Sequence, residues 1–139
     1  MPGFVGRFDH SVDAKGRVIL PAVYRPSFER GGYLTQGFER CLTLWTPGEF
    51  ERQLADMQAS YREGTPESRG FARVWSSGSV AVEIDRQGRM GIPAHLREFA
   101  GLDGGVLVAG VLDHIELWNP EEWRVRVAPA QDKFLGETA

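Results

Sequence analysis

Two stretches far apart in the chain, Phe4 to Val12 and Ser79 to Ile84, have strand-like composition, and in the second Val80, Val82 and Ile84 fall on one face. Each is followed by a polar turn, Asp13-Ala-Lys-Gly16 or Asp85-Arg-Gln-Gly88, in which Gly16 and Gly88 supply the positive φ of a tight hairpin. Short return strands are predicted at Arg17-Val-Ile-Leu20 and Arg89-Met-Gly-Ile92. Pro21 and Pro93 then suit the first turn of helices over about 21–28 and 93–99, with Pro26 bending the first. Gly31-Gly32 and Gly101 stop these helices, and paired strands follow at about 33–38 and 41–46, then 105–111 and 114–118. After each pair, Thr46 or Asn119 caps a helix that opens on Pro47 or Pro120. Phe50, Leu54, Met57 and Tyr61 mark one apolar stripe on the first of these. A further helix is expected around Glu67–Trp75, weakened by Gly70, and the tail beyond Pro129 is expected to fray.

The pattern is one unit written twice. Asp13, Gly16, Arg17, Pro21, Ala22 and Arg25 return 72 residues later as Asp85, Gly88, Arg89, Pro93, Ala94 and Arg97. Further on, Gly37, Trp45, Pro47 and Phe50 align with Gly110, Trp118, Pro120 and Trp123 at an offset of 73. The units are placed at residues 3–64 and 65–125, with a polar tail over 126–139. A unit of about 45 core residues buries too little apolar surface to stand alone, so the copies should pack together about a pseudo-twofold axis as one small barrel.

Bulk composition changes little: 139 residues, 42% hydrophobic, 25% charged and a formal net charge of −3 fit an ordinary globular chain. No apolar run approaches the length of about 20 residues that a membrane span needs, and the N-terminal residues lack a secretory core. With a single cysteine, Cys41, in a strand-like context, a cytoplasmic protein is expected. The overall acidity argues mildly against a nucleic-acid partner, but its distribution reverses the argument. Residues 7–25 carry four cations against two carboxylates and residues 85–97 three against one, whereas residues 113–139 carry six acids against three bases.

The candidate chemistry therefore lies in the doubled Asp-x-x-Gly-Arg. Asp13 and Asp85 can accept hydrogen bonds from turn N–H groups and pair with Arg17 and Arg89. That arrangement serves equally as a structural device or as a way of presenting a guanidinium to a phosphate or a guanine edge. Lys15 at the first tip and Arg86 in the second give each hairpin two cations, and Arg7 is expected on the strand paired with the first return strand. Catalysis finds little support. His10, His95 and His114 lack ligand spacing, Cys41 has no adjacent His, and Ser76-Ser-Gly-Ser79 is no nucleophile elbow. Trp45, Trp75, Trp118 and Trp123 read as core or interface residues. No enzyme activity, cofactor, metal or small-molecule substrate is expected.

His10-Ser-Val-Asp-Ala-Lys-Gly-Arg17 with Leu20-Pro-Ala22, Val82-Glu-Ile-Asp-Arg-Gln-Gly-Arg89 with Ile92-Pro-Ala94, and Gly110-Val-Leu-Asp-His-Ile-Glu-Leu-Trp118 resemble the bacterial MraZ family of transcriptional regulators. The resemblance runs over about residues 3–125. It implies an α+β, β-rich fold of the AbrB/SpoVT type: a double swapped-hairpin barrel with peripheral helices, assembled into a homo-oligomeric ring. It further implies a nucleoid-associated protein that binds short direct repeats in double-stranded DNA upstream of the cell-division and cell-wall operon, usually as a repressor. Carried over by motif position, Arg17 is the first candidate contact, then Lys15 and Arg89, with Asp13 and Asp85 orienting the arginines. Pro26 departs from the family, interrupting a helix that is usually continuous. The alternative from the residues alone is a ring-forming interaction scaffold whose Asp–Arg pairs are structural.

Overall fold

The structure is a computed structural model that describes residues 3–136. It is mixed α and β, built on a large antiparallel sheet. The strands are β1 (Arg7–Ser11), β2 (Arg17–Ile19), β3 (Gly32–Gln36), β4 (Leu42–Trp45), β5 (Val80–Val82), β6 (Arg89–Gly91), β7 (Gly105–Val111) and β8 (His114–Trp118). The helices are α1 (Pro47–Glu63), α2 (Pro66–Gly78), α3 (Ala94–Ala100), α4 (Pro120–Arg126) and α5 (Ala128–Phe134). Six strands form one sheet in the order β1-β7-β8-β4-β3-β5, and β2 pairs with β6 in a separate two-stranded ribbon. The described strands thus form an open sheet and a ribbon in place of the expected closed barrel. β1 and β5 stand at opposite sheet edges, and the three-residue strands β2 and β6 hydrogen-bond to each other instead of bridging those edges.

Most pairings run between copies. β1 pairs with β7, β5 with β3, β2 with β6 and β4 with β8; only β3–β4 and β7–β8 are internal to one copy. In the ribbon Val18 lies opposite Met90, its own counterpart, and in the sheet Thr43 lies opposite Glu116, again its counterpart. A residue facing its own repeat marks the point about which the two copies exchange. Val18, Met90, Leu20 and Ile92 are buried with Leu34, Leu44, Val108 and Ile115 in a single main core, so neither copy has a core of its own.

The register also corrects the repeat alignment. Phe8 pairs with Val108 and Val80 with Leu34, which makes Leu34 the counterpart of Val108, 74 residues apart. Gly110 therefore matches Gln36, and not Gly37. The cause is the connection: a 3-10 turn, Phe38–Arg40, joins β3 to β4, whereas Leu112 and Asp113 alone join β7 to β8. Both connections use positive φ at residues other than glycine, Glu39, Arg40 and Leu112.

Helix starts follow the expected caps. Thr46 accepts from the Glu49 N–H, and Asn119 from the N–H groups of Glu121 and Glu122. α2 runs unbroken through Gly70, because a reciprocal Thr65–Ser68 capping box starts it and Ala72 and Trp75 are buried against the sheet side. Pro21 and Pro93 take the extended cap position, one residue before that expected. The helix expected over about 21–28 forms as a 3-10 helix, Ala22–Phe28, with Pro26 lacking the N–H that an α-helical bond would need. Instead of fraying, the chain beyond Pro129 continues as α5 to Phe134, with proline in its first turn, where no N–H is lost.

Candidate functional site

Each hairpin is built around its aspartate. Asp13 Oδ1 accepts from the backbone N–H groups of Lys15 and Arg17, both at 2.9 Å, while Oδ2 accepts from Arg17 Nε at 2.8 Å. Asp85 repeats this with Gln87 and Arg89, both at 2.9 Å, and with Arg89 Nε at 2.6 Å. The donors lie two and four residues on, so one carboxylate fixes both the turn and the arginine. The Arg17 backbone N–H leads the interactions that hold the Asp13 carboxyl below its ordinary value, with the guanidinium adding to it; the Arg89 N–H does the same for Asp85. Both carboxylates therefore stay charged wherever the arginines could meet an anion.

The pairing uses only one edge of each guanidinium. Nε faces the aspartate, and among the described residues neither terminal nitrogen of Arg17 or Arg89 has a hydrogen-bond acceptor. The Arg side chains keep 29% and 35% exposure, enough to present that free edge to a partner. A guanidinium held at Nε and open at both Nη atoms suits a bidentate contact with a phosphate or a guanine.

The ribbon places the two devices side by side. Arg17 lies opposite Gly91 and Arg89 opposite Ile19, so both arginines share the ribbon face away from buried Val18 and Met90. Their diagonal relation corresponds to roughly 7–8 Å between backbones. The N–H of Leu20 donates to Gly88 O at 2.7 Å and that of Ile92 to Gly16 O at 3.0 Å, which extends the ribbon into both turns. Lys15 and Arg86 are exposed in these turns.

Arg25 and Arg97, the last residues of the duplicated segment, complete the arrangement; their recurrence is plain in the sequence, their role is not. Arg25 Nε donates to Leu20 O at 2.8 Å, and Arg97 Nη1 donates to Ile92 O. Each guanidinium lies against the glycine of the opposite hairpin, Arg25 at Gly88 and Arg97 at Gly16, where an added Cβ would collide with it. The φ values of +82° and +76° call for glycine at these positions, and the missing Cβ leaves the room into which each guanidinium packs. The recurrence of the two arginines at a fixed distance from the Asp was the available signal.

Arg7 is placed elsewhere. β1 pairs with β7 and not with the first return strand, so Arg7 lies opposite Ala109, at the end of β1 remote from the turn. Its guanidinium sits 5.6 Å from the Trp123 ring centroid. Placing Arg7 beside the first return strand requires pairing within one copy, whereas β1 pairs with the other copy.

Cys41, His114 and three of the four tryptophans are packed into the fold, whereas His95 is exposed. Cys41 is buried, and burial, with the Glu116 and Glu39 charges, pushes its thiol up to about 12. His114 is held between Asp113 Oδ1 at 2.8 Å and Glu116 Oε2 at 2.9 Å, beside Trp45. Burial alone would lower the imidazole, but the hydrogen bonds and charges of Glu116 and Asp113 outweigh it and raise it above its ordinary value. Trp45, Trp75 and Trp118 are buried, the first two in a small core with Phe50 that seats α1 and α2. No helix among the described residues is long and apolar enough to cross a membrane.

Comparison with known proteins gives a consistent family. A model described as "MraZ protein, putative antitoxin-like" matches twice, over residues 4–74 and 76–135. The chain is 42% identical over 120 residues to a protein of Thermomicrobium roseum named "Transcriptional regulator MraZ", covering 86% of this chain and 84% of that one. It is 41% identical over 131 residues to one of the same name from Nocardioides sp., covering 94% and 90%. A third, from Roseiflexus castenholzii, is 40% identical over 121 residues, with 87% and 84% covered.

Proposed function

The chain belongs to the MraZ family, and we propose that it is a transcriptional regulator that binds double-stranded DNA through the β2–β6 ribbon and its two turns. The observation that carries this reading is the pair of arginines on one ribbon face, each fixed at Nε by an aspartate and open at both terminal nitrogens. Arg17 and Arg89 make the principal contacts, Lys15 and Arg86 meet phosphates from the turns, and Asp13 and Asp85 orient the arginines with Gly16 and Gly88. Arg7, at the far end of β1, is left a peripheral role. The exchange of strands between residues 3–64 and 65–125 supports a swapped-hairpin unit of the AbrB type, with residues 126–139 as an appendage.

The target is a set of short direct repeats upstream of a cell-division and cell-wall operon, which the protein represses in the cytoplasm at the nucleoid. It binds as a homo-oligomeric ring. Two turns neutralising about 4 phosphates give a salt slope near −3.6, too small a footprint for one chain to bind tightly, so avidity is required. Apolar surface away from the ribbon supports self-association: α1 and α2 flank an open groove of about 580 Å³ lined by Leu54, Met57, Tyr61 and Ala72, and α2 exposes Phe71 and Val74.

A fluorescence anisotropy titration against repeat-bearing and scrambled duplexes at two salt concentrations tests the reading. Preference for the repeats and a slope of roughly −3.6 per chain engaged are expected. Equal, salt-insensitive affinity for both duplexes would leave the Asp–Arg pairs as structural elements of a scaffold.

A further inference from the structure

The ribbon face that carries both arginines is asymmetric. Four positions share it: Arg17 and Ile19 on β2, Arg89 and Gly91 on β6. Ile19 and Gly91 are counterparts in the two copies, yet one is a branched apolar side chain and the other has none. Ile19 is 42% exposed, directly opposite Arg89. A Cβ built on Gly91 meets no atom within 4 Å, so open space lies beside Arg17. A water-facing strand position ordinarily carries a polar residue. Here an apolar one stands between two guanidiniums presented for a polar partner.

Base edges in the major groove present donors and acceptors, with one apolar exception, the 5-methyl group of thymine. A branched hydrocarbon next to an oriented guanidinium matches that exception. We infer that Ile19 is a specificity-determining residue that packs on a thymine 5-methyl group, beside the base edge met by Arg89. Gly91 supplies no such contact on the other side and lets the duplex close on Arg17. Each chain consequently reads an asymmetric element, although its two Asp–Arg devices are near copies. This inference rests on the proposed DNA binding by the ribbon.

The test begins by selecting bound duplexes from a pool with a randomised centre, using the full chain. Each thymine of the selected duplex is then replaced in turn by deoxyuridine, which lacks only the 5-methyl group. At one position the replacement should weaken binding by about fourfold, the effect of one buried methyl group. Ile19→Ala should bind the thymine and deoxyuridine duplexes equally at that position, with the elution volume and far-ultraviolet circular dichroism of the parent. Ile19→Val should keep part of the preference. The inference is overturned if no replacement affects the parent, or if Ile19→Ala keeps the full thymine preference. Should the parent enrich no sequence at all, the DNA-binding reading itself falls, and this inference with it.

Discussion

The two hairpins are nearly superimposable in chemistry and different in what surrounds it. Asp13–Arg17 and Asp85–Arg89 are closed at 2.8 and 2.6 Å with the same three hydrogen bonds, and both aspartates are 40% exposed. Around them the copies differ: Lys15 corresponds in sequence to Gln87, Ala14 to Arg86, and Ile19 to Gly91. Geometry therefore does not rank one arginine above the other. The six returning residues build and brace the device: Asp and Gly shape the turn, the second Arg supports the opposite turn, and Pro-Ala starts the following helical segment. The residues that did not return are those free to distinguish one copy's partner from the other's.

Several substitutions would break or sharpen that comparison. The largest effect is expected from Arg17→Ala and Arg89→Ala, each losing about five- to 150-fold in affinity for repeat DNA by anisotropy. Similar losses would make the copies equal partners. A loss confined to Arg17→Ala would assign contact to the first hairpin and structure to the second.

Next comes the fold of the turns. Gly16→Ala and Gly88→Ala force a Cβ into left-handed backbone and against Arg97 or Arg25, so a destabilisation of about 1–2 kcal/mol is expected in urea unfolding. Gly91→Ala, on the same ribbon but facing open space, should stay within about 0.5 kcal/mol of the parent. Matching losses at Gly16 and Gly91 would contradict the role assigned to the turns.

Smaller still is Lys15→Gln, which gives the first turn the residue of the second. Affinity should fall evenly across sequences, and the magnitude of the salt slope should drop by about 0.9 for one lost phosphate contact. An unchanged slope would remove Lys15 from the interface.

The smallest effect concerns pH. The lowered Asp13 and Asp85 values mean that their contribution to stability is present above the ordinary value of 3.8 and disappears as pH falls through the lower folded value. His114, raised above 6.5, acts in the opposite sense: its contribution is complete below 6.5 and is lost as pH rises through the folded value. Thermal melts from neutral pH upward should show a decline that His114→Gln removes, while the low-pH loss persists in that variant.

Much of this was legible in the sequence because it is local. The β7 and β8 limits, the Thr46 and Asn119 caps, the apolar stripe of α1 and the turn role of Asp13 and Asp85 each depend on neighbours a few residues away. Pairing partners were not legible. The alternating pattern of β1 fits any strand edge, and nothing within one copy reveals that β1 joins β7 of the other. Arg7 therefore reads from sequence as a neighbour of the turn, which the pairing with β7 overturns. The offset of 74 at Leu34 and Val108 is hidden for a related reason, since shared glycines align Gly37 with Gly110 where hydrogen-bond register does not. Arg25 and Arg97 were visible as repeats, but their purpose lies across the exchange.

The central claim is that the two Asp-held arginines face DNA and are not merely structural. It is tested most directly by an anisotropy titration of Arg17→Ala/Arg89→Ala on repeat DNA, with the oligomer sized in the same buffer. The account expects affinity to fall by at least about 25-fold, the product of the two smallest single losses, while the assembly keeps its size. Parental affinity in the double variant, or loss of binding only because the assembly has come apart, would contradict it.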